Sequence, residues 1–320
     1  MRRRYQLLLA LTAIVGLPYY WLLVDNRPGD DPGPVIRIAD LRRLADTIPG
    51  PPPETVALQQ VGWRRVPGTV FVAGGGLKRN LLSIQAGLIS GPWGDIVVDG
   101  GFGPQDAVGM GMEAFLPANQ ARVDAAMRRA RLIVFTHEHL DHMGGLLRLG
   151  DWARVLPQAL ITPEQTPSGT VAQALPWPKG AADAIHPFRY SGMKAIAPGV
   201  VLIRAPGHTP GSQMVYARLS NGREYLFAGD TATMARSWQQ LRARSRLVGD
   251  LIVDEDRHAV FGWLKAIRRL HRAAPAMTIV PGHDFEALAY DTPGSGLAFE
   301  FPAPPAPPSK VGVVKPAALR

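Results

Sequence analysis

Cysteine is missing from this chain of 320 residues, which excludes disulfides and thiolate metal ligands together. Any transition-metal site must therefore be built from histidine and carboxylate, a donor set that suits zinc, iron or manganese. A large surplus of one charge sign is missing too: 35 basic against 26 acidic residues leave +9, of which Arg2, Arg3 and Arg4 supply three. No basic stripe interleaved with aromatics and no added nucleic-acid-binding module is visible, so nucleic acid is not an expected partner. Repetition at a fixed short period is absent, which argues against solenoids and propellers. With 46% hydrophobic residues, the composition is that of a globular enzyme with a proper core.

Lacking at the N-terminus is a small-x-small cleavage site. Arg2–Arg4 precede an uncharged stretch from Leu7 to Val24, eighteen residues, close to the roughly 20 needed to span a bilayer. Tyr19, Tyr20 and Trp21 stand near its outer end, as interfacial aromatics do, and the arginines favour a cytoplasmic N-terminus. Val24-Asp25-Asn26-Arg27 follows where a signal peptide would present small residues. The expectation is a membrane-anchored protein whose catalytic domain lies outside the cytoplasm, on the periplasmic side if bacterial; export after signal cleavage is the alternative.

Residues 25–54 are rich in Pro, Gly and Asp and read as a tether interrupted by a short helix, Ile38 to Ala45. Residues 291–320, with their Pro-Ala bias, read as a disordered tail. Between them one domain is expected, residues 55–290. Strand-like runs recur inside it: Val70–Ala73, Leu81–Ile84, Asp95–Asp99, Leu132–Thr136, Val200–Ala205, Gln213–Leu219, Glu224–Ala228 and Thr278–Val280. Asn221-Gly222 between two of them predicts a hairpin with a type I′ turn. Helices are expected over Asn119–Ala130 and Asp256–Ala273, the latter with Val260, Leu264 and Ile267 on one stripe. Strands and helices in this order imply an α/β fold with helices outside the sheets.

Four of the strand runs end in side chains that bind metals. Leu132–Phe135 leads into Thr136-His137-Glu138-His139-Leu140-Asp141-His142, where His137 and His139 project to one side while the chain stays extended. Glu138 alternates away and is expected to face solvent or to cap the following helix. Val201–Ala205 leads to Gly207-His208, Tyr225–Ala228 to Gly229-Asp230, and Thr278–Val280 to Gly282-His283. Glycine before each ligand lets the backbone turn close to the site without a Cβ, and strand ends supply rigidity. Asp99, Thr209 and Asp284 are expected to support neighbouring ligands. His186, His258 and His271 match no ligand position.

These motifs resemble the metallo-β-lactamase superfamily, in the dinuclear branch of glyoxalase II and the acyl-homoserine-lactone lactonases. H-x-H-x-D-H, a lone His after Pro-Gly, an Asp after Gly and a final Gly-His are all present in order. The resemblance implies a four-layer αββα sandwich. It assigns His137, His139 and His208 to one metal, Asp141, His142 and His283 to a second, and Asp230 to the bridge. It further implies two Zn2+, with Fe or Mn as alternatives, and a hydroxide between them that cleaves a lactone, ester, thioester or related carbonyl bond. Asp141 would both ligate and act catalytically, orienting the hydroxide or protonating the leaving group.

The substrate is expected to be a small molecule. Loops over a metal edge select what approaches, and Trp177, Phe188, Tyr190 and Trp238 are the named candidates, with His186 and Phe102 beside them. The tyrosine that lactonases carry after the bridging aspartate is replaced here by Thr231-Ala232-Thr233-Met234, and the helical C-terminal domain of glyoxalase II has no counterpart. Alternatives are a mononuclear iron enzyme of the persulfide dioxygenase type, or a β-lactamase, against which Asp230 argues. Oligomeric state is left open.

Overall fold

The computed structural model describes residues 2–26 and 28–303. Eleven strands are assigned among them. The first sheet holds β1 (Thr55–Pro67), β2 (Arg79–Gly91), β3 (Gly94–Val98), β4 (Ala114–Phe115), β5 (Leu132–Val134) and β6 (Ala159–Leu160), in the order β4-β1-β2-β3-β5-β6. The second holds β7 (Met193–Ala197), β8 (Val200–Arg204), β9 (Gln213–Arg218), β10 (Glu224–Gly229) and β11 (Thr278–Pro281), in the order β11-β10-β9-β8-β7.

Strand periodicity builds the layers. Along β8, Val200 and Leu202 enter the core between the sheets, whereas Val201 and Ile203 enter the core beneath the outer helices. β9, β10, β3 and β5 alternate in the same way: Ile96, Val98 and Val134 face the second sheet, while Val97 and Ile133 face outward. Apolar residues on both faces of a strand demand cover on both sides. The helices Pro117–Arg129 and Leu140–Arg148 cover the first sheet, and Arg257–Ala273 covers the second with Val260, Leu264 and Ile267. The result is the expected αββα sandwich.

Direction within the second sheet matters most for the site. β9 is antiparallel to both β8 and β10, and β11 is parallel to β10. β8, β10 and β11 therefore all run the same way and release their C-terminal loops at one edge. Gln213 stitches β5 to that edge, its backbone N–H donating to the Thr136 carbonyl at 2.8 Å and its amide to the Phe135 carbonyl at 2.7 Å.

Several local expectations change. Val70–Ala73 is not a strand: a 3-10 turn over Gly68–Val70 leads into a loop. The β9–β10 hairpin forms, but Gly222 alone of the turn residues has positive φ, at 82°. The turn is thus not type I′; Ser220 and Asn221 make a type I geometry closed by the glycine. The helix at Ile38–Ala45 buries Leu41 and Ala45 against the second sheet and pairs Arg42 with Glu224 at 2.7 Å, so this part of the tether is strapped to the domain. Nor does the domain stop at residue 290. Ala298 pairs with Ala57 and Phe301 is 1% exposed in the first core, while residues 304–320 of the expected tail lie outside the described residues.

Candidate metal centre

β5 ends one residue pair before the cluster. His137 is buried in the loop, His139 is the N-cap of the helix Leu140–Arg148, and Asp141 and His142 occupy its first turn. The change from strand to helix between His139 and Leu140 is what turns Asp141 and His142 toward a second position. His208 follows β8, Asp230 follows β10 and His283 follows β11.

All seven side chains converge. Nε2 of His137 and Nε2 of His208 lie 3.0 and 3.1 Å from Nδ1 of His139. On the other side, Oδ2 of Asp141 is 3.6 Å from Nε2 of both His142 and His283. Asp230 sits between the two groups. Its Oδ1 is 3.0 Å from His283 Nε2 and 3.9 Å from His142 Nε2, and its Oδ2 is 3.5 Å from His208 Nε2. Glycine makes this approach possible: Gly229 has φ 52°, and a Cβ at Gly282 would collide with Oδ1 of Asp230.

The donor set fits cations. His142 Nε2 is buried without a hydrogen-bond partner among the described residues, a loss of about 1–3 kcal/mol that a ligated ion would offset. Burial keeps His137 neutral, far below its usual range, and lowers His139 to about 3, which leaves lone pairs free for a metal. Burial opposes ionisation of Asp230 as well, but His283, His208 and Arg244 outweigh it and hold the carboxyl well below its usual range. For His142 burial is overcome by Asp141 and Asp99, which raise it to about 10.

Outer contacts orient the donor side chains, as a metal site would require. Asp99, at positive φ of 64° just past β3, accepts from Thr136 N–H at 2.7 Å and meets His142 Nδ1 at 2.9 Å. His283 Nδ1 donates to the Ser83 carbonyl at 2.9 Å, and His208 Nδ1 meets Glu255 Oε2 at 2.9 Å. Arg244, 7% exposed, bonds Glu255 at 2.5 Å and Asp230 Oδ2 at 2.7 Å. Glu255 and Arg244 were not foreseen: Asp254-Glu255-Asp256 and Arg242-Ala243-Arg244 look like solvated charge runs, and nothing local marks one member of each as buried.

Other expectations are corrected. Glu138 does not face solvent; it is fully buried and accepts from Thr209 Oγ1 at 2.7 Å and Gly211 N–H at 2.9 Å. Thr209 thus serves Glu138 rather than His208, and Asp284 accepts from Ala235 N–H at 2.8 Å rather than bracing His283. His186 and His258 are exposed and His271 packs on Trp238.

A cavity of about 150 Å³ opens over the ligands, lined by His139, Asp141, His208, Asp230, His283, Arg244 and Thr233 on its polar side and by Val70, Phe71, Leu82, Val248 and Val253 on its apolar side, with Arg64 beside them. The four aromatic substrate candidates lie elsewhere. Trp177 packs on the first core and donates to the Ala172 carbonyl. Phe188 and Tyr190 pack on the core between the sheets, with Tyr190 Oη on Gln213, and Trp238 is buried beneath the second sheet. Phe102 is buried in the first core.

The sequence pattern of the Metallo-beta-lactamase superfamily matches residues 79–283 of this chain. The chain belongs to that superfamily. Among solved structures, this metallo-β-lactamase-fold chain is similar to a quorum-quenching N-acyl homoserine lactone lactonase, at TM-score 0.57 and 16% identity over 74% of this chain and 94% of that one. It is similar also to an N-acyl homoserine lactone hydrolase with N-hexanoyl-L-homoserine at its catalytic metal centre, at TM-score 0.56 and 17% identity over 74% and 96% of the two chains. A third likeness is to a dizinc quorum-quenching lactonase, at TM-score 0.50 and 13% identity over 71% and 86%. No curated protein matches by sequence.

Proposed function

We propose that this metallo-β-lactamase-fold protein is a hydrolase that holds two Zn2+ ions and cleaves a lactone, ester, thioester or related carbonyl bond of a small molecule. The observation that carries it is Asp230, whose two oxygens face different ligand groups: one toward His208, the other toward His283 and His142. His137, His139 and His208 would hold one ion and Asp141, His142 and His283 the other, with Asp230 shared. When bound, such a pair supplies an activated water near neutral pH and polarises a carbonyl oxygen.

The remaining work falls to the side chains. Asp141 lines the cavity and has the most exposed carboxylate of the cluster, at 19% against 6% for Asp230, so it is the group able to hand a proton to a leaving oxygen. Arg244 and Glu255 fix Asp230 and His208 in place. Val70, Phe71 and Val253 exclude water on the opposite wall and suit an apolar substituent. Replacing His137 or Asp141 by Ala in the full chain should abolish turnover of a lactone and ester panel, and metal analysis should return about two zinc per wild-type chain. Unchanged turnover in either variant would refute the assignment, and one iron with oxygen consumption would replace it by the mononuclear alternative.

The apolar helix Arg2–Tyr19, continued by a π-turn over Tyr20–Val24 after Pro18, is proposed as a membrane anchor. None of the apolar window of Arg2–Val24 is buried in the protein, and 23 residues at 1.5 Å each span about 34 Å, enough for a bilayer core. Arg2–Arg4 favour the cytoplasmic side for the N-terminus and the opposite side for the domain.

A further inference from the structure

The end of the apolar helix is clamped to the walls of the cavity. Gly74 N–H donates to the Leu23 carbonyl at 2.8 Å. Arg246 pairs with Asp25 at 2.9 Å and stacks over the Trp21 ring at 5.2 Å. Asn26 completes the clamp, its amide donating to the Leu241 carbonyl and its Oδ1 accepting from Ala243 N–H. Two segments, residues 68–77 and 241–253, are thereby fixed to the end of that helix.

Each of these segments has two faces. Inward, Val70 and Phe71 from one and Val248 and Val253 from the other line the cavity over the metal ligands. Outward, Leu77, Leu251 and Ile252 are 65%, 68% and 69% exposed. Large apolar side chains left in water on two loops that flank one cavity mark an interaction surface. Their attachment to a long apolar helix identifies a lipid bilayer as the occupant.

We propose that the mouth of the cavity rests on the membrane surface, and that the substrate is an amphiphile whose acyl chain stays in the bilayer while its carbonyl head enters the cavity. The substrate class rests on the hydrolase reading above; the surface does not. In the reaction a water oxygen bonds to the carbonyl carbon, the bond from that carbon to the leaving oxygen breaks, and the leaving oxygen takes up a proton.

The absence of cysteine makes a direct test available. In the full chain reconstituted into phosphatidylcholine–phosphatidylglycerol vesicles, a fluorophore on Ile252→Cys should be quenched by spin-labelled lipid. One on Asn221→Cys, in the hairpin at the far end of β10, should not be. In parallel, a Leu77→Ser, Leu251→Ser, Ile252→Ser variant should lose about tenfold in turnover of a long-chain nitrophenyl ester presented in the vesicles, and hydrolyse a short-chain soluble ester like the wild type. An unquenched Ile252 label with unchanged vesicle turnover would overturn the proposal, as would disulfide cross-linking of Ile252→Cys between two copies, which would make the patch a protein interface. Quenching without turnover of either ester by the zinc-loaded wild type would uphold the surface and overturn the substrate class together with the hydrolase reading.

Discussion

Glu255 offers the sharpest test of how the site is held. Its carboxylate is fully buried, 2.9 Å from His208 Nδ1 and 2.5 Å from Arg244. Glu255→Gln keeps the shape and one acceptor oxygen, but removes the charge that fixes the His208 tautomer and that shares the Arg244 cation with Asp230. Loss of such an outer contact costs about 10–100-fold in metal affinity, or about 1.4–2.8 kcal/mol. The metal-free protein should also lose the charge-assisted bonds, about 1.5–3 kcal/mol, and at about 2–4 °C per kcal/mol for a domain of this size the midpoint should fall by about 3–12 °C. Zinc affinity from competition with a chromophoric chelator and the melting point of the stripped protein separate the two effects. A fall in melting point with wild-type zinc affinity would refute the positioning role and leave Glu255 as a structural residue only.

Gly282→Ala should lower zinc content toward one ion per chain, because its Cβ collides with the Asp230 oxygen that faces His142 and His283; two ions at wild-type affinity would contradict the shared carboxylate. Glu164 is hydrogen-bonded by Arg204 at 2.8 and 2.9 Å and lowered from 4.5 to about 2. Its contribution is present above pH 4.5 and lost as pH falls toward 2, so urea stability of the wild type should drop more steeply over that window than that of Glu164→Gln. Equal slopes would show the pair contributes nothing. Deleting residues 1–24 should move the protein from the membrane to the soluble fraction, and unchanged fractionation would remove the anchor.

Much of the site was legible because it is local. Six consecutive positions from His137 to His142 carry four donors, and each remaining donor follows a buried strand and a glycine. The helix Arg257–Ala273 was equally plain from Val260, Leu264 and Ile267 at helical spacing. β1 escaped notice because a bulge between Gln60 and Gly62 breaks its alternation and Arg64-Arg65 interrupts its apolar run. The burial of Glu138 is not legible locally, because Thr209 and Gly211, which close over it, lie in a loop distant in the chain. The aromatic candidates lie away from this cavity for a different reason: a large ring in a loop is as useful to a core as to a pocket, and Trp177, Phe188 and Tyr190 pack on the cores.

By itself the sequence determined the donor types, the exclusion of thiolates, the strand exits that deliver the donors and the apolar helix before the domain, since all of these are properties of neighbouring residues. Only the tertiary structure decided that the exits share an edge, because that depends on β8, β10 and β11 pointing the same way through pairings distant in the chain. Burial of Arg244 and Glu255 against Asp230 and His208 was decided there too. So was the placement of the cavity beside the apolar N-terminal helix, because an isolated charge or leucine in the sequence does not record which surface will close over it.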